Sequence, residues 1–238
     1  MDRFFVSAID GGVLAADEAH HCREVLRHRS GETITVFDGR GNEARCEIIE
    51  CRPDRVAYRV LTRQATPRLR CRVVLGQAIP KRSMDLIVQK ATELGVAELY
   101  PLISDRTVVE ATGKMERWRA IALEACKQSG NNWLPVIHPP QPASSFLQNL
   151  PTVELRLIAS LQPDARALKT ILAEETSGSR SLPASVLVLV GPEGDFTPAE
   201  LALAKAAGCR PLSLGPLVLR SETAALYALS IVHHELQM

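Results

Sequence analysis

Two segments near the carboxyl end carry residue types in an order that could do chemistry. In the first, the apolar run Leu187-Val188-Leu189-Val190 leads into Gly191-Pro192-Glu193-Gly194-Asp195-Phe196 and then Thr197-Pro198-Ala199-Glu200. A buried strand that ends in a glycine turn and feeds a capped helix is where open α/β sheets bind ligands, outside the strand carboxyl ends. Glycines in such a turn let a ligand approach the backbone closely. Glu193 is a carboxylate held in that turn, either as a site residue or as an acceptor for loop N–H groups. In the second segment, Leu212-Ser213-Leu214-Gly215 leads through Pro216-Leu217-Val218-Leu219 to Arg220-Ser221-Glu222-Thr223-Ala224. Arg220 and Glu222 flank a helix start, where they could act on charge or on a proton. A plainer reading makes Ser221 the N-cap, Glu222 a favourable first-turn acid and Arg220 a solvated cation. The residues alone leave both readings open.

Other chemistries lack their signatures. There is no GxGxxG after a strand, no GxxxxGK[ST] and no GxSxG, so dinucleotide, P-loop and serine-hydrolase sites are not indicated. The six cysteines include no CxxC pair, which argues against a zinc site, and no metal is expected. They read as small core residues of a reduced, cytoplasmic protein. The first ten residues carry an acid and no apolar stretch, and the apolar run at 186–190 is far too short to cross a membrane.

The elements that must position these segments divide the chain near residue 70. Residues 1–70 look β-rich. A helical stretch at 15–26 precedes alternating strands at 32–37, 43–51 and 55–62, with hairpin chemistry at Asp38-Gly39-Arg40-Gly41-Asn42. Short strands joined by tight turns suggest a small barrel. Residues 64–70 read as a linker. Residues 71–238 alternate strand and helix, the pattern of an α/β sheet. Strands are expected at 71–76, 98–103, 155–160, 186–190 and 211–214. Helices are expected at 83–94, 114–128, 165–174, from 197 towards Gly208, and at 222–235, with a polar loop at 177–183. The fully apolar run at 186–190 is that of a strand buried on both faces of a parallel sheet. Thr197-Pro198-Ala199-Glu200 is a capping box with proline at the first helical position.

Composition agrees with a globular chain. Of 238 residues, 46% are hydrophobic, 23% charged and only 4% aromatic, so aliphatic side chains must build the core. The net charge is +1, which says nothing about partners by itself. Its distribution does: residues 51–82 hold nine basic side chains against Asp54 alone. Arginine forks match phosphate and stack on bases, so this stripe is a candidate nucleic-acid footprint.

Taken together, the segments resemble the 16S ribosomal RNA uracil-N3 methyltransferase family, within the SPOUT superfamily of knotted methyltransferases. The resemblance covers nearly the whole chain. It rests on His21-Cys22-Arg23-Glu24-Val25-Leu26-Arg27, on Val36-Phe37-Asp38-Gly39 and on Leu75-Gly76-Gln77. Also similar are Met84-Asp85-Leu86 with Gln89-Lys90-Ala91-Thr92-Glu93-Leu94-Gly95, and Glu124-Ala125-Cys126-Lys127-Gln128-Ser129-Gly130. The two carboxyl-terminal segments complete the ordered set. The resemblance implies a PUA-like RNA-binding β-barrel over 1–70 and a SPOUT trefoil-knot α/β domain over 71–238. It implies a homodimer that uses S-adenosyl-L-methionine to methylate N3 of one uridine of the small ribosomal subunit, near the decoding site.

On that basis the cofactor would be held by Leu161, Val190, Gly191, Pro192, Glu193, Gly194, Leu214, Gly215 and Leu219. Arg220 would stabilise negative charge on the base, with Glu222 or Glu193 orienting it or relaying the proton. Arg23, Arg27, Arg55, Arg59, Arg63, Lys81 and Arg82 would contact RNA. The target base must be unpaired or flipped, since N3 is unreachable inside a duplex. Three departures from the family pattern stand out. Asp195 occupies a place usually held by glycine, Leu217 one usually held by arginine, and Asn131-Asn132-Trp133 a place where arginines are common. Another SPOUT activity on a different base or RNA, or an RNA-binding assembly factor without catalysis, are the competing readings.

Overall fold

The computed structural model describes residues 2–53, 55–107, 113–177 and 181–237, so Asp54 and part of the expected polar loop at 177–183 fall outside it. The chain forms two compact units. One contains residues 1–68 and 123–134, and the other contains 69–122 and 135–238.

In the first unit, β1 (Arg3–Phe5), β2 (Thr33–Phe37), β3 (Asn42–Arg52) and β4 (Arg55–Ala65) form a four-stranded sheet in that order. β1 runs parallel to β2, and the other pairs are antiparallel. β1 was invisible in the sequence, because three residues are too few to display a period. The expected helix at 15–26 is shorter: α1 (Ala16–His20) passes into a wider π turn over His21–Val25. β4 continues through Ala65, into the stretch read as a linker. Alternation along β2 sends Ile34 and Val36 into a core shared with Phe4, Cys46, Ile48 and Val56, all fully buried. The β2–β3 turn is built as its residues suggest. One Asp38 carboxylate oxygen accepts from the backbone N–H groups of Arg40 at 2.8 Å and Asn42 at 3.1 Å.

Trp133 belongs to this unit. Its indole N–H donates to the Thr66 carbonyl at 3.0 Å, and the Arg68 guanidinium lies 3.9 Å from the centre of its ring. A Cβ on Gly41 would come within 2.3 Å of that ring, so glycine is required there for close approach as well as for its φ of +96°. The half-buried Trp133 therefore serves this packing.

The second unit is a seven-stranded parallel sheet. Its strands are β5 (Arg72–Ala78), β6 (Glu98–Ile103), β7 (Val136–Ile137), β8 (Gln141–Pro142), β9 (Leu155–Ala159), β10 (Ser185–Val190) and β11 (Arg210–Leu212). The order is β11-β9-β10-β5-β6-β7, with β8 also pairing β6. β10 lies between β9 and β5, which explains its apolar sequence: Val186 to Val190 are at most 1% exposed. The helices are α2 (Met84–Glu93), α3 (Met115–Ser129), α4 (Ala143–Gln148), α5 (Leu168–Glu175), α6 (Pro198–Ala206) and α7 (Ser221–Gln237). α4, β7 and β8 are short elements that the sequence did not reveal. The capping box of α6 is formed in both directions. Glu200 N–H donates to the Thr197 hydroxyl at 3.3 Å, and Thr197 N–H donates to the Glu200 carboxylate at 2.8 Å. α7 buries Ala225, Ala228, Leu229, Val232 and Leu236, a helical stripe. Its Gln237 side chain closes on the Cys71 backbone, accepting from the N–H at 3.0 Å and donating to the carbonyl at 2.6 Å.

After β9 the chain supplies β10 on one side of that strand and β11 on the other. This reversal is a topological switch point, and open α/β sheets bind ligands just outside the carboxyl ends of the strands there.

Candidate active site

Three loops leave the carboxyl ends of β9, β10 and β11 and face one open cleft. The loop after β9 brings Leu161, which is 59% exposed. The loop after β10 brings Gly191, Pro192 and Glu193 beside the end of the strand at Val190. The loop after β11 brings Leu214, Gly215 and Leu219. Thus eight of the nine residues expected to hold a cofactor line one cleft.

Gly194 is the exception. It is not among the residues lining the cleft, and its carbonyl accepts a hydrogen bond from the Arg106 guanidinium. Residues not expected to contact the cofactor also line the cleft, among them Ser160, Asp195, Leu217, Val218 and Ser221. Leu217 and Val218 are 73% and 79% exposed, so an apolar rim stands open to whatever binds.

Asp195 has a φ of +61°, the left-handed conformation in which glycine is easiest and aspartate is tolerated. This accounts for an aspartate at a position where the family resemblance favours glycine. Its N–H donates to the Pro192 carbonyl at 2.9 Å, closing a tight turn, and its carboxylate accepts from Phe196 N–H at 2.7 Å. Phe196 is 2% exposed and anchors the loop in the core. A Cβ on Gly191 would lie 3.0–3.2 Å from Asp195 and the Phe196 nitrogen, so the turn closes over this glycine.

The expected catalytic side chains sit differently from one another. Glu193 is exposed, and its carboxylate accepts from the backbone N–H of Lys81 at 2.9 Å. Arg220 is exposed, and its guanidinium makes no ion pair among the described residues. Glu222, in the first turn of α7, is half-buried and likewise makes no hydrogen bond or ion pair among the described residues.

Ser221 is not the N-cap of α7. Arg220 holds that place, its carbonyl accepting from Ala224 N–H at 2.8 Å. The Ser221 hydroxyl is 4% exposed and reaches inward, donating to the Gly191 carbonyl at 2.6 Å. It also accepts from the Gln77 amide N–H at 3.0 Å. Gln77, at 0% exposure, donates to the Ala78 carbonyl at 2.8 Å as well, and its amide oxygen has no partner. Sequence spacing cannot reveal a bond between residues so far apart.

The expected RNA contacts fall in both units. Arg55, Arg59 and Arg63 recur along β4. Each faces a carboxylate: Glu50 at 3.6 Å, Glu47 at 2.7 Å and Asp10, respectively. Arg23 pairs with Glu24 at 2.9 Å, and Arg27 is exposed. In the second unit, Lys81 and Arg82 are exposed beside a separate cleft. Among the described residues, no group of His, Cys, Asp and Glu side chains is placed to hold a metal ion.

Comparison with known proteins decides the lineage. Residues 67–233 match the RNA methyltransferase domain family, and residues 14–57 match the RNA methyltransferase PUA domain family. The chain belongs to this RNA methyltransferase family. The ribosomal RNA small subunit methyltransferase E of Bacillus subtilis is 32% identical over 236 residues, covering 94% of this chain and 90% of that protein. The Synechocystis protein of the same name is 32% identical over 92% of this chain and 72% of its own length. Among solved structures, the Neisseria gonorrhoeae ribosomal RNA small subunit methyltransferase E bound to S-adenosyl methionine superposes with a TM-score of 0.87. It is 31% identical and covers 99% of this chain and 98% of its own. A Legionella pneumophila structure with bound SAM gives a TM-score of 0.88 at 30% identity, over 99% and 98% of the two chains. The fold is therefore that of a SPOUT RNA methyltransferase, with an α/β-knot domain preceded by a PUA-like domain.

Proposed function

We propose that this RNA methyltransferase uses S-adenosyl-L-methionine to methylate N3 of one uridine in small-subunit ribosomal RNA. The observation that carries this reading is the convergence of three switch-point loops on one cleft with an open apolar rim, in a chain whose relatives are small-subunit rRNA methyltransferases. The cleft fits the cofactor. The Gly191 turn offers backbone rather than side chains, and Val190, Leu161 and Leu219 supply apolar walls for the adenine. When bound, the cofactor supplies an already activated methyl group on a sulfonium.

The protein's own task is to present N3 to that methyl group and to hold the charge left when its proton departs. Uracil N3–H is a weak acid, and anionic character spreads to O2 and O4. Arg220, exposed and without an ion pair among the described residues, does not itself line the cleft but stands in the chain between the lining residues Leu219 and Ser221, and is the side chain free to stabilise that charge. Glu222 lies two residues further on, also without a partner among the described residues, and is the carboxylate free to orient Arg220 or accept the proton. Glu193 is engaged with Lys81 N–H and holds the loop instead.

We assign RNA binding to residues 1–70 and catalysis to 71–238, with 123–134 completing the first compact unit. A homodimer is supported by α2 and α7, which pack together and leave Leu86 and Tyr227 exposed. Action in the cytoplasm is supported by six free cysteines, in a chain with no described helix long and apolar enough to span a membrane.

The test is mass spectrometry of nucleosides after incubating the protein and cofactor with unmodified small subunits or with free rRNA. N3-methyluridine at one site is the expected product. A different methylated base, or RNA binding without transfer, would replace this reading by one of its competitors.

A further inference from the structure

A second cleft in the catalytic unit, enclosing about 450 Å³, is lined by the loop after β5 and the start of α3. Four cations face it: Lys81, Arg82, Lys114 and Arg117. The one carboxylate among the described lining residues, Asp85, is taken by Arg117 at 2.6 Å. Lys81, Arg82 and Lys114 make no ion pair with any described residue. Like charges gathered without counter-charges repel one another, so the arrangement lacks an anion of its own. Its floor is firm, since Trp118 is 1% exposed beneath it.

The position of this cleft identifies the anion. Lys81 N–H is bonded to the Glu193 carboxylate at 2.9 Å, and Glu193 also lines the methyl-transfer cleft. The two clefts thus share a wall one hydrogen bond thick. A nucleotide with its base in one and its backbone in the other satisfies both, because phosphate and base are joined through a single sugar. We propose that the Lys81–Arg82–Lys114 cleft binds the phosphodiester groups flanking the target uridine and so sets that base in place. This rests on the methyltransferase reading above and adds the subsite that positions its substrate. Non-specific phosphate contacts of this type fix register while sequence is read elsewhere.

The test uses the protein and the variants Arg82→Gln, Lys114→Gln and both together, with Lys169→Gln on α5, an exposed lysine that lines neither cleft, as the control. Methyl transfer to unmodified small-subunit RNA is followed across a salt series, and cofactor affinity is measured by calorimetry. The double variant should lose at least tenfold in kcat/KM for RNA while its cofactor affinity stays within twofold. The slope of log KM against log salt should shrink by about 1.4, for two contacts at roughly 0.7 each on single-stranded RNA. Lys169→Gln should match the wild type in both. Unchanged kcat/KM and slope in the double variant, with an active wild type, overturn the proposal and leave the methyltransferase reading intact. A double variant that loses binding of inorganic phosphate but not RNA turnover marks an anion site unrelated to RNA and also overturns it. A wild type that neither binds cofactor nor transfers methyl overturns the reading beneath it.

Discussion

The Ser221 hydroxyl donates to the Gly191 carbonyl at 2.6 Å, joining the first residue of the last helix to the turn that borders the proposed cofactor cleft. Gln77 holds the same hydroxyl from the end of β5 at 3.0 Å. Arg220 and Glu222 flank Ser221, so this buried relay ties the proposed catalytic side chains to the proposed cofactor loop. Ser221→Ala leaves a buried carbonyl and a buried amide N–H unpaired, each costing about 1–3 kcal/mol. We expect a loss of several degrees in Tm and about tenfold in cofactor affinity, read by calorimetry. Ser221→Cys retains a weak donor and should recover part of both. Affinity unchanged in Ser221→Ala would separate the relay from the cleft.

Arg220→Ala removes a side chain that is exposed and without an ion-pair partner among the described residues, so folding has little stake in it. If its guanidinium stabilises charge on the base, kcat should fall about 10²- to 10³-fold, the usual effect of deleting such a group. Cofactor affinity should stay within twofold. Collapse of cofactor binding would move Arg220 from the chemistry to the cofactor site.

What could be read in advance depended on how local each signal was. The unbroken apolar run at 186–190 announced a central strand, because a strand covered on both faces has no polar side to display. Thr197 and Glu200 announced a capping box, because its two bonds close within four residues. β1 was not legible: its three residues are ordered by pairing with β2, some thirty residues later. The inward bond of Ser221 was not legible for the same reason, since capping is judged from neighbours while its partner, Gly191, lies in another loop. The basic stripe was legible as a count but not as a field. The carboxylates of Glu47 and Glu50 come from the adjacent strand, and that of Asp10 from the start of the chain.

Those pairings shape the test of the stripe. Exposed ion pairs are worth about 0–1 kcal/mol each, so a phosphate can draw the arginines away from their partners. Reversing Arg55, Arg59 and Arg63 to Glu should weaken RNA binding and reduce its salt slope by about 2, at roughly 0.7 per contact. Filter binding over a salt series measures both. An unaltered slope would mark this face of β4 as solvated only.

Gly191→Val places a branched side chain where a Cβ alone would lie 3.2 Å from backbone atoms of Asp195 and Phe196. Backbone cannot step aside as a flexible side chain can, so the turn must shift. We expect cofactor affinity to fall more than tenfold. Gly215→Ala is the informative contrast: its φ of +105° makes alanine strained, yet no atom lies within 4 Å of the new Cβ. It should cost stability of the order of 1 kcal/mol through backbone strain and leave the Gly191 turn untouched. Equal losses of affinity in both variants would mean that general loosening, not the shape of the Gly191 turn, governs binding.

Glu98, the first residue of β6, gives the catalytic unit an acid-sensitive bond. Burial pushes its carboxyl pKa up, but hydrogen bonds from Arg72, His138 and Tyr100 outweigh that and leave it below the ordinary 4.5. The Arg72 guanidinium bonds at 2.6 and 2.9 Å and the His138 ring at 3.0 Å, with His138 stacked on Tyr100 at 3.8 Å. A carboxylate whose folded pKa is depressed adds stability that is fully present above its unfolded pKa and lost as pH falls through the folded value. Glu98→Gln should therefore be less stable than the wild type at neutral pH, where Arg72 loses its counter-ion. It should also show a shallower decline on acidification: the wild type begins to lose its advantage near pH 4.5, the unfolded carboxylate pKa, and the two proteins converge only below the depressed folded value. Urea unfolding followed from neutral to acidic pH reads both effects. Curves that stay parallel throughout would mean that the carboxylate is not the titrating group, and that the variant acts only through packing around Tyr100 and His138.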